Sequence, residues 1–207
     1  MSDIKEQVFS PQDVSVIAYN AIEARHKNKD GEIKTGISRL DKDLLPMRPG
    51  ELIVVCGYTS NYKTGLMNYI ARHNAQMIAK TAEGDFKVDY TKAVISFTWE
   101  QSVEEQGIVD IAQLTGINAA KMMRGELADT EWIALQKGSI DRGTLPWWVV
   151  GHSSEGGKRR PRLSMTDAGA ALAHIADVQH LSPALVVLDY AQRIKQEKSN
   201  SRREGLM

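Results

Sequence analysis

The chain has 207 residues, with 26 Lys+Arg balanced by 26 Asp+Glu and a formal net charge of zero. A chain of this length suits one domain that hides roughly 70% of its unfolded surface, and the balanced charge argues against a globally basic nucleic-acid binder while leaving room for a local basic patch. Cys56 is the only cysteine, no apolar run approaches a membrane span, and the N-terminus lacks a signal-peptide pattern, so a soluble protein of the reducing cytoplasm, without membrane partners, is expected.

Residues 10–26 read as one amphipathic helix. Ser10 suits the N-cap, Pro11 the first helical position and Asp13 the positive end of the dipole. Val14, Ile17, Ala18, Ala21 and Ile22 fall on one apolar stripe, which packs either on the rest of this chain or on a neighbouring subunit. The polar stretch 27–34 is linker-like, so residues 1–34 form a linker helix and linker, and residues 35–207 the main domain.

Strands and helices then alternate. Leu52–Cys56, Ala93–Phe97, Trp147–Val150 and Leu185–Leu188 are short apolar runs suited to strands buried on both faces, and Cys56 is expected to be a buried core thiol. Helical stretches lie near 64–82, 103–115, 117–123, 129–137 and 166–180, with insertions at Glu83–Thr91 and at the basic Ser153–Arg162. The alternation predicts an α/β fold, a mainly parallel sheet with helices on both faces, whose ligands bind at the carboxyl ends of the strands.

Residues 57–64 fit the phosphate-cradle pattern G-x-x-x-x-G-K-[ST] at every fixed position but one. Gly57, Lys63 and Thr64 are in place, Ser60 and Asn61 fall within the loop, and Tyr62 stands where the second glycine is usual. In such a loop consecutive N–H groups point at phosphate, the lysine neutralises charge and the hydroxyl binds Mg²⁺. Tyr62 must either adopt an allowed torsion with its ring turned outward or distort the cradle. Asp189 ends an apolar run, the arrangement that places a carboxylate near Mg²⁺, although a strand-terminal Asp also caps turns. Glu100 follows a second apolar run, where its carboxylate would polarise an attacking water or sit as an exposed loop acid.

Together these segments resemble the motor domain of DnaB-type replicative helicases, within the RecA-like ATPases. The likeness is carried by Thr35-Gly36-Ile37-Ser38-Arg39-Leu40-Asp41, by Pro49-Gly50-Glu51-Leu52-Ile53-Val54-Val55, by Phe97-Thr98-Trp99-Glu100 and by Asp189-Tyr190-Ala191-Gln192. Its most specific part is Lys121-Met122-Met123-Arg124-Gly125-Glu126-Leu127-Ala128-Asp129-Thr130-Glu131-Trp132, which has no evident catalytic need and is hard to obtain by convergence. The resemblance implies a RecA-like fold that binds ATP and Mg²⁺ through the loop, Thr64 and Asp189, with Glu100 as the catalytic glutamate. It further implies a ring of six subunits around single-stranded DNA, with the helix at 10–26 docked on the adjacent subunit.

Three departures qualify it. Tyr62 replaces the loop glycine, a primase-contacting N-terminal domain is absent, and the chain stops at Met207, before the region where the family places its arginine finger. A fragment or a shortened relative, inactive alone, is therefore expected, because hydrolysis needs transition-state charge stabilisation. Lys195, Lys198, Arg202 and Arg203 follow the Asp189 strand, and Lys158, Arg159, Arg160 and Arg162 form a second basic cluster; each set either binds DNA phosphates or is a solvated loop. The rival readings are a degenerate phosphate-loop assembly module without ATPase activity and a RecA-like ATPase of the recombination or clock-protein type; the Lys121–Trp132 stretch argues against the latter.

Overall fold

The computed structural model describes residues 8–27, 32–58, 61–82, 91–154 and 164–189. Helix α1, Pro11–Lys27, starts where the sequence predicts. The Ser10 hydroxyl accepts from the Asp13 N–H at 3.1 Å while the Asp13 carboxylate accepts from the Ser10 N–H at 3.0 Å, so two otherwise orphaned donors at the helix start are satisfied reciprocally. None of its residues is buried.

A short helix, α2 (Ser38–Asp43), follows a turn organised by Asp41, whose carboxylate accepts from the Thr35 N–H, the Thr35 hydroxyl and the Gly36 N–H. The rest is α3 (Lys63–Ala82), β1 (Lys92–Thr98), α4 (Val103–Thr115), α5 (Ala119–Arg124), α6 (Asp129–Gly143), β2 (Trp147–Val150), α7 (Met165–Gln179) and β3 (Ser182–Asp189). All three strands are parallel, in the order β2-β1-β3.

β1 is central and its side chains alternate between two cores. Ala93, Ile95, Phe97 and Trp99 pack with Ala168 and Ile175 of α7 on one face. Val94 packs with Ala71 and Ala75 of α3, and with Trp147 and Val187, on the other. Burial on both faces explains why β1 reads as a continuous apolar run. The register pairs Thr98 with Asp189, after an irregularity between Ala93 and Val94, so β1 and β3 end side by side.

Away from the sheet, α4 and α6 approach closely at Gly138, where a Cβ would lie 2.3 Å from the Thr115 methyl. The Lys121–Trp132 stretch is a helix–turn–helix: Gly125 closes α5 at φ +71°, and the Lys121 ammonium meets both Glu131 carboxylate oxygens at 2.6 and 2.7 Å. Glu131 also accepts from the Ala128 N–H at 2.9 Å, fixing the start of α6.

One expected element is not formed. Residues 52–56 make no strand, and Cys56 is exposed rather than buried. β3 pairs with β1 along one edge, and no described strand lies along its other edge, so residues 52–56 have no ladder to join. Leu52 and Val54 remain 87% and 69% exposed. The insertion at Glu83–Thr91 lies outside the described residues except for Thr91, as does most of the one at Ser153–Arg162. Among the described residues no helix is long and apolar enough to cross a membrane.

Candidate nucleotide site

Helix α3 springs directly from the phosphate-loop segment. Tyr62 is its N-cap: the Tyr62 carbonyl accepts from the Leu66 N–H at 2.9 Å. Its φ is +52°, the left-handed region in which glycine is at ease, and its side chain is 87% exposed. The chain thus keeps the torsion expected of the usual glycine and turns the ring outward, the first of the two outcomes expected from sequence. The Asn61 N–H donates to the Tyr58 carbonyl at 3.3 Å, closing the turn.

Lys63 occupies the first turn of α3. Its ammonium donates to the Tyr58 carbonyl at 2.7 Å, so the charge lies folded over the loop. Gly57 lies beside it: a Cβ there would sit 3.5 Å from Lys63 Cγ. The four other long helices each carry an acid in the first turn, namely Asp13, Glu104 with Glu105, Asp129 with Glu131, and Asp167. α3 carries none and has a lysine there instead. A cation at a helix N-terminus opposes the dipole unless an anion joins it, which is the electrostatic arrangement of a phosphate site.

Thr64 brings the two halves of the site together. Its hydroxyl donates to Asp189 Oδ2 at 2.8 Å, across 125 residues of sequence. Burial pushes the Asp189 carboxyl up, the Thr64 hydroxyl pulls it down, the Glu100 charge pushes it up again and Lys63 pulls it down. Glu100 is therefore within electrostatic reach of Asp189. It is exposed just past β1, where the Trp99 N–H donates to the Asp189 carbonyl at 3.0 Å and the Thr98 hydroxyl donates to the Gln101 carbonyl at 2.8 Å.

Gly57, Asn61, Tyr62, Lys63, Thr64, Glu100 and Asp189 thus gather where β1 and β3 end. Ser60, Lys195, Lys198, Arg202 and Arg203 lie outside the described residues, as do Lys158, Arg159, Arg160 and Arg162. The donor set fits Mg·ATP. A hydroxyl and a carboxylate already in contact are hard oxygen ligands of the kind Mg²⁺ prefers, and an ammonium at a helix N-terminus suits a polyphosphate. No group of three or more His, Cys, Asp or Glu suited to an all-protein metal cage occurs among the described residues, in keeping with a cation that shares its ligands with phosphate and water.

The profile of the DnaB-like helicase C-terminal domain matches residues 32–206. The chain belongs to this family. Among solved structures it is similar to the ATPase domain of a DnaB-like helicase, at 18% identity and a TM-score of 0.57, over 95% of this chain and 62% of that one. At that identity the likeness shows the fold, α/β of the RecA-like kind, and the chain spans less than two-thirds of the length of that structure. A search of curated proteins finds no match.

As a DnaB-like helicase domain the chain is of a nucleotide-binding kind. One set of buried polar residues escapes the sequence reading: Asn68 on α3, Gln106 and Asp110 on α4, and Arg142 on α6. Gln106, Asp110 and Gln113 recur at i, i+4 and i+7, a stripe that reads as a solvated helix face, yet Gln106 and Asp110 are buried. The hint in the sequence is that this polar stripe is flanked by Val109 and Ile111 with no wholly polar side left for water.

Proposed function

We propose that the chain is the ATP-binding motor domain of a DnaB-like helicase, with residues 1–34 as linker and 35–207 as the ATPase domain. Lys63 would neutralise phosphate charge, the backbone of Gly57–Tyr62 would cradle the phosphates, Thr64 and Asp189 would hold Mg²⁺, and Glu100 would orient the attacking water. Mg²⁺ supplies neutralisation of the phosphate oxygens when bound. The observation that carries this reading is the Thr64–Asp189 hydrogen bond beside Lys63 at a helix start that lacks acids.

Ring assembly and movement along single-stranded DNA belong to the same reading. The exposed stripe of α1, with Val14 and Ile17 more than half exposed and Ile22 at 62%, supports docking on a neighbouring subunit as part of a hexamer. DNA contact is assigned to Lys195, Lys198, Arg202 and Arg203. In this reading the chain binds nucleotide by itself and hydrolyses it only in a longer chain or ring, in the cytoplasm.

The test is thermal unfolding with and without millimolar Mg·ATP, for this chain and for Lys63→Ala. Ligand at 100-fold over its Kd stabilises by about 2.7 kcal/mol, a shift of a few degrees. A shift in the parent protein that vanishes in Lys63→Ala supports the reading. No shift in either overturns it in favour of an assembly module.

A further inference from the structure

We propose that Gln106 is a positioning residue: it couples the helix that follows the phosphate loop to the segment that carries Glu100. The inference rests on the nucleotide-binding reading above and adds to it a route between the loop and the proposed catalytic carboxylate.

The route begins at Asn68, one helical turn beyond Thr64 on the same face of α3. Asn68 is buried, and its Nδ2 donates to Gln106 Oε1 at 3.2 Å. Gln106 lies in the first turn of α4, where its N–H donates to the Ser102 carbonyl at 3.0 Å. Ser102 is a buried N-cap in a complete capping box with Glu105. The Thr98 hydroxyl bond to the Gln101 carbonyl closes the turn that contains Glu100. β1, Glu100 and the first turn of α4 therefore form one hydrogen-bonded unit, which Asn68 and Gln106 join to α3.

The orientation of the Gln106 amide is fixed from behind. Its Nε2 donates to Asp110 Oδ1 at 2.8 Å, which turns Oε1 toward α3. Asp110 is fully buried, and its other oxygen accepts from Arg142 Nε at 3.0 Å. Arg142 in turn lies 4.5 Å over the Trp147 ring and donates to the Trp147 carbonyl at 3.1 Å. Reversing the amide would set two oxygens against each other and leave a buried carboxylate short of a donor, so the network holds one arrangement. Arg72 and Gln113 join the same two helices farther along, at the exposed margin away from Glu100. A shift of α3 on binding polyphosphate would reach the start of α4 through Gln106 first.

The experiment is amide hydrogen exchange on the full chain with and without Mg·ATP, in the parent protein, Gln106→Leu and Asn68→Leu. The expected result is slowed exchange in the first turn of α3 and across residues 103–108 of the parent. In Gln106→Leu the α3 protection and the Mg·ATP affinity persist, while protection at 103–108 falls by about threefold or more. A residue that served stability alone would not separate the two segments. Asn68→Leu breaks the same bond from the other side and gives the same separation, and it carries the test if Gln106→Leu does not fold. Equal protection of 103–108 in parent and variant overturns the inference, as does protection of α3 alone in the parent. Protection of neither segment in the parent overturns the nucleotide reading together with it.

Discussion

The Thr64 hydroxyl and the Asp189 carboxylate meet at 2.8 Å, joining the start of α3 to the end of β3. Asp189 is held up by burial and by the Glu100 charge, so the hydroxyl is a favourable partner in a setting that otherwise disfavours ionisation. The contact aligns two of the proposed Mg²⁺ ligands before any cation arrives.

Thr64→Val keeps the shape of the side chain and removes the donor. It is expected to destabilise the protein by about 1–3 kcal/mol, the cost of leaving a part-buried carboxylate short of a hydrogen bond. Urea denaturation measures this, with Thr64→Ser as the comparison that stays near the parent. The Mg²⁺ dependence of nucleotide binding should also be lost in Thr64→Val and kept in Thr64→Ser.

Tyr62 holds a left-handed torsion at φ +52° that costs an L-residue about 1–2 kcal/mol. Tyr62→Gly relieves that strain and gives back roughly 0.5–1 kcal/mol through the extra freedom of the unfolded chain. The net expectation is a gain of about 0.5–1 kcal/mol in chemical denaturation. Mg·ATP affinity should rise or stay level, because the cradle torsion is already present. A loss of stability would show that the exposed ring makes contacts that outweigh the strain.

Asp110 gives a pH dependence of defined sign. Burial pushes its carboxyl up to about 6, against the pull of Arg142, Gln106 and Arg72. Between the ordinary carboxylate range and pH 6 the folded state holds a proton that the unfolded state has released, so this group's contribution to stability falls as pH rises through that window. Asp110→Asn removes the dependence. Subtracting the variant's stability from the parent's at each pH should give a difference that declines from pH 4 to 6.5, by up to about 3 kcal/mol. A flat difference would contradict it.

Gly138 and Thr115 should be strongly coupled. A Cβ at 138 would press within 2.3 Å of the Thr115 methyl, so Gly138→Ala should cost about 1–3 kcal/mol despite the better helix propensity of alanine. Thr115→Ser removes that methyl and keeps the hydroxyl, which donates to the Ile111 carbonyl at 2.8 Å. In the serine background Gly138→Ala should be neutral or stabilising. A double-mutant cycle by denaturation reads the coupling.

Most elements were legible because their signals are local. Ser10 and Pro11 mark the start of α1, and the apolar runs 93–97, 147–150 and 185–188 all lie within strands. The union of Lys63, Thr64 and Asp189 was legible through pattern spacing, since strand ends converge in parallel sheets. Residues 52–56 failed because a strand is a relation between two chains of backbone, and apolar composition does not supply the neighbour. The torsion of Tyr62 was left between two outcomes, because tyrosine itself does not choose a positive φ. The Asn68–Gln106–Asp110 network was invisible for a different reason: polar periodicity on a helix looks the same whether it faces water or other polar groups.

The resting place of the Lys63 ammonium has a thermodynamic consequence. Because it is already satisfied by the Tyr58 carbonyl, an arriving phosphate exchanges one oxygen acceptor for another. The hydrogen-bond count at the lysine is unchanged by that exchange, and what remains is the difference between a neutral dipole and a formal negative charge. Selection at this loop is then a selection for charge itself: polyphosphates displace the carbonyl, neutral hydrogen-bond acceptors do not, and rising ionic strength erodes the preference by screening the one term that distinguishes them.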